Sequence, residues 1–181
     1  MAPLITLVGV TLLLRLAGAA GFFGLRSWHM SLRGGLAAMF LLTGASHFTT
    51  MRADFIAMVP PALPYPDLLV SASGVLELLG AVGLLHQRTV PWAAAGLTLL
   101  LLAVFPANVY AALAGLALSS GPATALLPRT LMQLAFLAAT LLVLVPYLPA
   151  YRQRQADRSR QQSERMHPLP ARPVHGRRKV Q

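Results

Sequence analysis

Long stretches of this chain carry almost no charge, and that limits what it can fold into more than any other feature. Crossing the hydrocarbon core of a bilayer takes roughly 20 mostly apolar residues as a helix, within a range of about 17–25. Five stretches approach or meet that length: about residues 3–25, 34–48, 68–85, 91–118 and 123–149. Arg15 alone interrupts the first, the second is short, the third contains Glu77, and the fourth is long enough to tilt. Continuous apolar runs of this kind suit membrane helices better than strands. Only 11% of the residues are charged, against about a quarter in a soluble domain. Nine of the fifteen basic residues lie in 151–181, so the first 150 residues cannot present an ordinary soluble surface. The expected fold class is all-α, a transmembrane helix bundle. There is no Cys, which excludes disulfides, thiol redox chemistry and Cys-ligated metal or iron–sulfur sites.

Orientation follows from the basic residues, which are enriched in cytoplasmic loops. With five spans and the N-terminus outside, Arg26, Arg33, Arg88 and the basic tail share one side, while Arg52 and Arg129 share the other with Asp54 and Asp67. Trp28, Trp92, Tyr147 and Tyr151 then fall at the cytoplasmic interface, where amphipathic rings are favoured. The expectation is a multi-pass protein of the cell membrane, N-terminus outside and C-terminus cytoplasmic. A cleaved signal peptide in residues 1–25 is disfavoured, because no basic segment precedes the apolar run and Arg15 breaks it. From Tyr151 onward the chain is rich in Gln, Arg and Pro and reads as a disordered tail. Its charge suits anionic lipid headgroups, at roughly 1 kcal/mol per basic residue near the surface, and nucleic acid is not an expected partner.

Polar side chains inside lipid need a reason. Glu77 lies about nine residues into its span, roughly 14 Å along the helix axis and close to the bilayer centre. Gln133 reaches a similar depth from the same side, and Asn108 follows Pro106 in the fourth span. Pro106 kinks its helix and frees the carbonyl of Leu102. Glu77, Asn108 and Gln133 are candidate ligand-binding residues of one pocket, with His47 nearer its outer mouth and Gly80 allowing another helix to come close. The competing reading makes them interhelical glue, with Glu77 protonated or paired with Arg15 and bonded to Asn108 or Gln133. His47 and His86 fall at opposite membrane faces, His29 lies in a loop, and His167 and His175 have no zinc spacing, so no metal site is expected. In the outer loop, Phe55, Ile56, Met58 and Val59 form an apolar cluster, and four prolines predict an extended course that either connects the spans or lids the bundle.

Several of these segments resemble the DoxX-like membrane proteins. Gly44-Ala-Ser-His-Phe48, Met58-Val-Pro-Pro-Ala-Leu-Pro64, Ser73-Gly-Val-Leu-Glu-Leu-Leu-Gly80, Val104-Phe-Pro-Ala-Asn-Val109 and Leu127-Pro-Arg-Thr-Leu-Met-Gln133 occur in order across about residues 33–148. The resemblance implies a four-helix core in spans two to five (residues 33–149), an additional N-terminal span in residues 1–32, and a tail in 150–181. Some members of that group are linked to membrane oxidoreductase complexes, so the resemblance implies membrane or soluble oxidoreductase subunits as partners; the leading expectation joins this to the apolar bundle with a few polar groups at one depth, a pocket for a quinone or lipid-like ligand. The resemblance assigns no catalytic residue. The alternatives are a non-catalytic scaffold or assembly factor, or a small transporter or proton relay.

Overall fold

Where the apolar runs are longest the backbone is helical, because a segment shielded from water must satisfy its own N–H and C=O groups. The computed structural model describes residues 2–21, 27–119, 121–122, 125–149, 152–154, 156–158 and 160. Helix α1 covers Ala2–Ala19, α2 Trp28–Ser46, α3 Arg52–Met58, α4 Pro66–Leu85, α5 Val90–Leu113 and α6 Leu126–Leu144. A two-residue antiparallel pair, β1 Ala117–Leu118 with β2 Gly121–Pro122, links α5 to α6, and a 3-10 turn, Val145–Tyr147, follows α6. The contacts divide the chain into one unit of residues 1–145 and a second of residues 146–181.

Among the described residues, four helical segments are long and apolar enough to cross a membrane: Ala2–Ala19, Pro66–Leu85, Val90–Leu113 and Leu126–Tyr147. Helix α2 is not among them, yet it holds the centre of the bundle. It packs on α1 with one face and on α4 with another, and it also touches α6. The pairs α4–α5 and α5–α6 close a ring of four helices, with α1 applied to the outside of α2. This is the all-α bundle expected from the sequence.

The polarity of α2 is tolerated because its polar groups find partners on α4. Arg33, 3% exposed, donates from Nε and Nη2 to the carbonyl of Leu84, at 3.1 and 2.8 Å. That carbonyl belongs to the last turn of α4, where acceptors lack intrahelical partners and the helix dipole favours a cation. Further along, a Cβ added to Gly44 would sit 2.9 Å from Leu78 Cγ, and one added to Gly74 would sit 2.6 Å from His47 Cβ. At the start of α3, Arg52 donates to the carbonyl of Asp67 in the first turn of α4 at 3.2 Å and pairs with its carboxylate at 3.6 Å. As the number rises on one strand of this ladder it falls on the other, so α2 runs antiparallel to α4 along its whole length.

Several boundaries differ from the sequence expectation, each for a local reason. Helix α2 begins at Trp28 rather than near residue 34, because the Ser27 hydroxyl accepts the Met30 N–H at 3.1 Å and caps the helix. Helix α5 stops at Leu113, short of residue 118, where Gly115 adopts a φ of 59° that only glycine takes readily. The loop between α2 and α4 opens with helix α3, all of which precedes the first of the four prolines. Residues 152–154, 156–158 and 160 are helical where an unstructured tail was expected, in keeping with the helix propensity of Arg, Gln and Ala. Arg26, Tyr151, His167 and His175 lie outside the described residues.

Replacing Arg33 tests the fastening of α2 to α4. Arg33→Leu leaves the Leu84 carbonyl buried without its donor, a loss of about 1–3 kcal/mol. Thermal unfolding in detergent should show a clearly lowered midpoint for Leu, with Lys, which keeps one charged donor, falling between Leu and the parent.

Candidate functional site

The C-terminal half of α2 gathers three polar side chains around one residue. Thr43 donates from Oγ1 to Glu77 Oε2 at 2.5 Å, and its carbonyl oxygen lies 2.9 Å from His47 Nδ1. A carbonyl only accepts, so Nδ1 carries the proton of this bond. The Ser46 hydroxyl donates to the same carbonyl at 2.6 Å. His47 and Glu77 are 8% and 9% exposed. The His47 ring stacks on Phe55 of α3, with centroids 4.4 Å apart and planes 17° from parallel. Gly44 and Gly74 make this geometry available, since any side chain at either would collide with the facing helix.

A second polar group lies between α5 and α6. Gln133, 7% exposed, donates from Nε2 to the Leu101 carbonyl at 2.6 Å. Asn108 accepts through Oδ1 from Arg129 Nη1 at 3.1 Å. Pro106 lies inside α5, which runs through it as a single helix. The carbonyl that Gln133 takes is one residue before that of Leu102, the group expected to be freed by the proline. Gln133 thus adds a side-chain donor to a carbonyl near the proline, while the carbonyl that Pro106 itself leaves without a donor is that of Leu102.

The four residues expected to line one pocket therefore divide into two sets. His47 and Glu77 are joined through Thr43, while Asn108 and Gln133 bond on the α5–α6 side and share no partner with Glu77. Depth along the membrane placed them together, but their azimuth around each helix does not. Gly80 serves close packing of α4 on α5, where an added Cβ would lie 2.5 Å from Leu97 Cδ2. Arg15 does not pair with Glu77: its guanidinium stands over the Trp28 ring, 5.0 Å from the centroid. His47 and His86 cap antiparallel helices at their C-terminal ends and so lie at opposite ends of the bundle. Among the described residues no three His, Cys, Asp or Glu side chains form a group able to hold a metal.

Sequence reasoning missed Thr43, Arg33 and Phe55. Thr43 was detectable, because it stands four residues before His47 and on the same helical face. It missed the outer clasp as well. Asp54, at the start of α3, accepts the Ser119 N–H at 3.0 Å and the Ser119 hydroxyl with its other oxygen. These two donors, the hydroxyl first, hold the Asp54 carboxyl below the usual carboxylate range. Helix α3 packs on both α4 and α5, so the clasp ties the first outer loop to the last.

Residues 36–144 match the sequence model of a family described as a domain of unknown function (DUF8561). The match covers more than half of the chain, which belongs to that family; it takes in the helical ring from within α2 to the end of α6 and leaves out α1. No curated protein and no solved structure matches the chain significantly.

The two polar sets make distinct mutational predictions. Glu77→Gln retains an acceptor for the Thr43 hydroxyl and should melt with the parent, whereas Glu77→Leu leaves that hydroxyl only the Phe40 carbonyl, at 3.5 Å. Gln133→Leu removes the side-chain donor to the Leu101 carbonyl, which keeps its place in the helical ladder of α5. Interhelical bonds in membranes average about 0.6 kcal/mol, so each Leu variant should lose stability modestly. Because the sets share no partner, the double Leu variant should be additive within about 0.3–0.5 kcal/mol; coupling beyond that in detergent melts would mean that they do share one pocket.

The Asp54 clasp carries a pH dependence of defined sign. Its carboxyl binds protons less readily when folded, so its stabilisation is complete above the ordinary carboxylate value and fades as pH falls through the lowered folded value. Protection of the Ser119 amide, taken relative to its intrinsic exchange rate, should fall over that acidic range. The same measurement on Asp54→Asn should show fast exchange with no carboxyl-linked step.

Proposed function

We propose that this chain is a non-catalytic subunit, a scaffold or assembly factor, of a complex in the cell membrane. It crosses the bilayer five times, with the N-terminus outside and the C-terminus cytoplasmic. The observation that carries this reading is the use of its intramembrane polar groups. Arg33, Thr43, Glu77, Asn108 and Gln133 each bond to a neighbouring helix, which is what a rigid bundle needs and what a polar reaction chamber would have to give up. The orientation rests on the charge distribution, with Arg33 and Arg88 at the end where α4 finishes and α5 begins, and Asp54 and Asp67 at the other. The DoxX-like resemblance supports a place beside membrane oxidoreductase subunits, with the basic tail on anionic headgroups.

A second reading, a quinone or lipid-like ligand held from the outer side, is favoured by one observation. Glu77 Oε1 takes no hydrogen bond among the described residues, and the Nδ1 proton of His47 is engaged, which leaves Nε2 for another partner. Nε2 then accepts and so fits a hydroxyl, while a carbonyl would be met by Glu77 carrying its proton on Oε1, with no role for either in bond making.

Affinity purification of the full chain from native membranes decides between them. The scaffold reading expects stoichiometric protein partners that persist in Glu77→Gln and His47→Ala. A chain that purifies alone, with a quinone extracted from it and lost in those variants, would replace the first reading with the second. Topology is checked separately: a reporter active only outside the cytoplasm should work when inserted near Leu63 and be silent when fused after Val180, and the reverse result refutes the orientation.

A further inference from the structure

One face of the ring departs from ordinary helix packing. Between α4 and α5 lies a groove of about 310 Å³ lined by Leu76, Leu79, Gly83, Trp92, Gly96 and Leu100, among others, with Thr89 at one end. It faces away from the polar groups described above: Glu77 points to α2, while Leu76 and Leu79 beside it are 53% and 63% exposed. Its floor is open because Gly83 and Gly96 lack side chains, and a Cβ on Gly96 would meet nothing within 4 Å.

The dimensions of the groove name its occupant. On α4 it runs from Leu76 to Gly83 and on α5 from Trp92 to Leu100, which at 1.5 Å per residue is about 10–12 Å along the axes. A single leaflet contributes about half of the roughly 30 Å hydrocarbon core, so the groove extends through most of one leaflet and ends near the midplane. It opens at the turn joining α4 to α5. There Thr89 donates to the Gly83 and His86 carbonyls at 2.7 and 3.0 Å, which closes the turn. Trp92, 80% exposed, stands at that mouth, the position where indole rings meet the headgroup layer. The adjoining turn residues His86, Gln87 and Arg88 are exposed, and Arg88 contributes a full positive charge with no acid in the turn.

We infer that this groove is a binding site for one acyl chain of an anionic phospholipid whose phosphate lies against the Arg88 turn. The inference rests on the membrane-spanning reading but not on the orientation, which only decides which leaflet supplies the lipid. An apolar slot that stops at the midplane suits a chain entering from one side. A second transmembrane helix would need a face running the full thickness. A cationic mouth above the slot selects the headgroup by charge.

Native mass spectrometry of the full chain, released from detergent in the presence of phosphatidylglycerol or phosphatidylcholine, tests the site. The expected result is one retained phosphatidylglycerol per chain, in preference to phosphatidylcholine. Gly96→Leu fills the groove without touching the fold and should weaken retention by about tenfold, the equivalent of two buried methylenes, with an unchanged melting midpoint. Leu79→Trp plugs the same slot from α4 and guards against a folding defect in the first variant. Arg88→Gln should abolish the headgroup preference and keep the acyl contact. Equal retention by the parent and both plugged variants, or indifference of the parent to headgroup charge, overturns the inference. So does a dimer without lipid that the plugs dissociate, which would assign the groove to a second copy of the chain.

Discussion

The bundle depends on one contact more than on any other: the buried guanidinium of Arg33 on the Leu84 carbonyl. A charge in this position is stable only where carbonyls at a helix end offer both acceptor capacity and a favourable dipole. The last turn of α4 supplies both. This contact sets the register of α2 against α4, and with it the positions of Gly44 opposite Leu78, His47 opposite Gly74 and Thr43 opposite Glu77. Every polar bond between these two helices is downstream of that alignment.

The long apolar helices were legible in the sequence because their signal is a simple run: α4 and α6 lie close to the stretches expected for them, and α5 differs mainly at its end. Helix α2 was legible only in part. Its first turns, Trp28 to Arg33, read as a charged joint, since their polarity becomes compatible with burial only through a carbonyl fifty-one residues away. The seven residues of α3 carry too short a pattern to separate helix from connector. The polar groups were identified individually but not in their pairing. Hydropathy reports depth, and it is silent on which way a side chain points around a helix with 3.6 residues per turn. Glu77 and Gln133 therefore seemed to be neighbours, yet one faces α2 and the other α5.

The polar inventory has a common logic. Lipid offers no hydrogen bonds, so helices associate through close packing and through polar pairs that find no better alternative. Here glycines bring the backbones together, at Gly35 against Thr11, Gly44 against Leu78 and Gly80 against Leu97, and a polar bond is set close to several of these approaches. Helix α1 joins α2 by close packing and by the Arg15 guanidinium over the Trp28 ring. It stands outside the residues matched by the family, which fits its position as an addition to the ring.

The distance in sequence between Arg33 and Leu84 has a consequence for how the protein is made. The chain emerges from the ribosome N-terminus first, at about 5–20 residues per second, so α1 and α2 are complete several seconds before the last turn of α4 exists. During that interval Arg33 has no carbonyl to hold, and its long side chain can keep its charge at the membrane surface. On the proposed orientation that is the cytoplasmic surface, where a positive charge resists translocation. One side chain then acts twice in succession: first as a mark that fixes the direction of insertion, and later, once α4 arrives, as the bolt that closes the bundle. Its burial in the finished protein erases the outward trace of its earlier role.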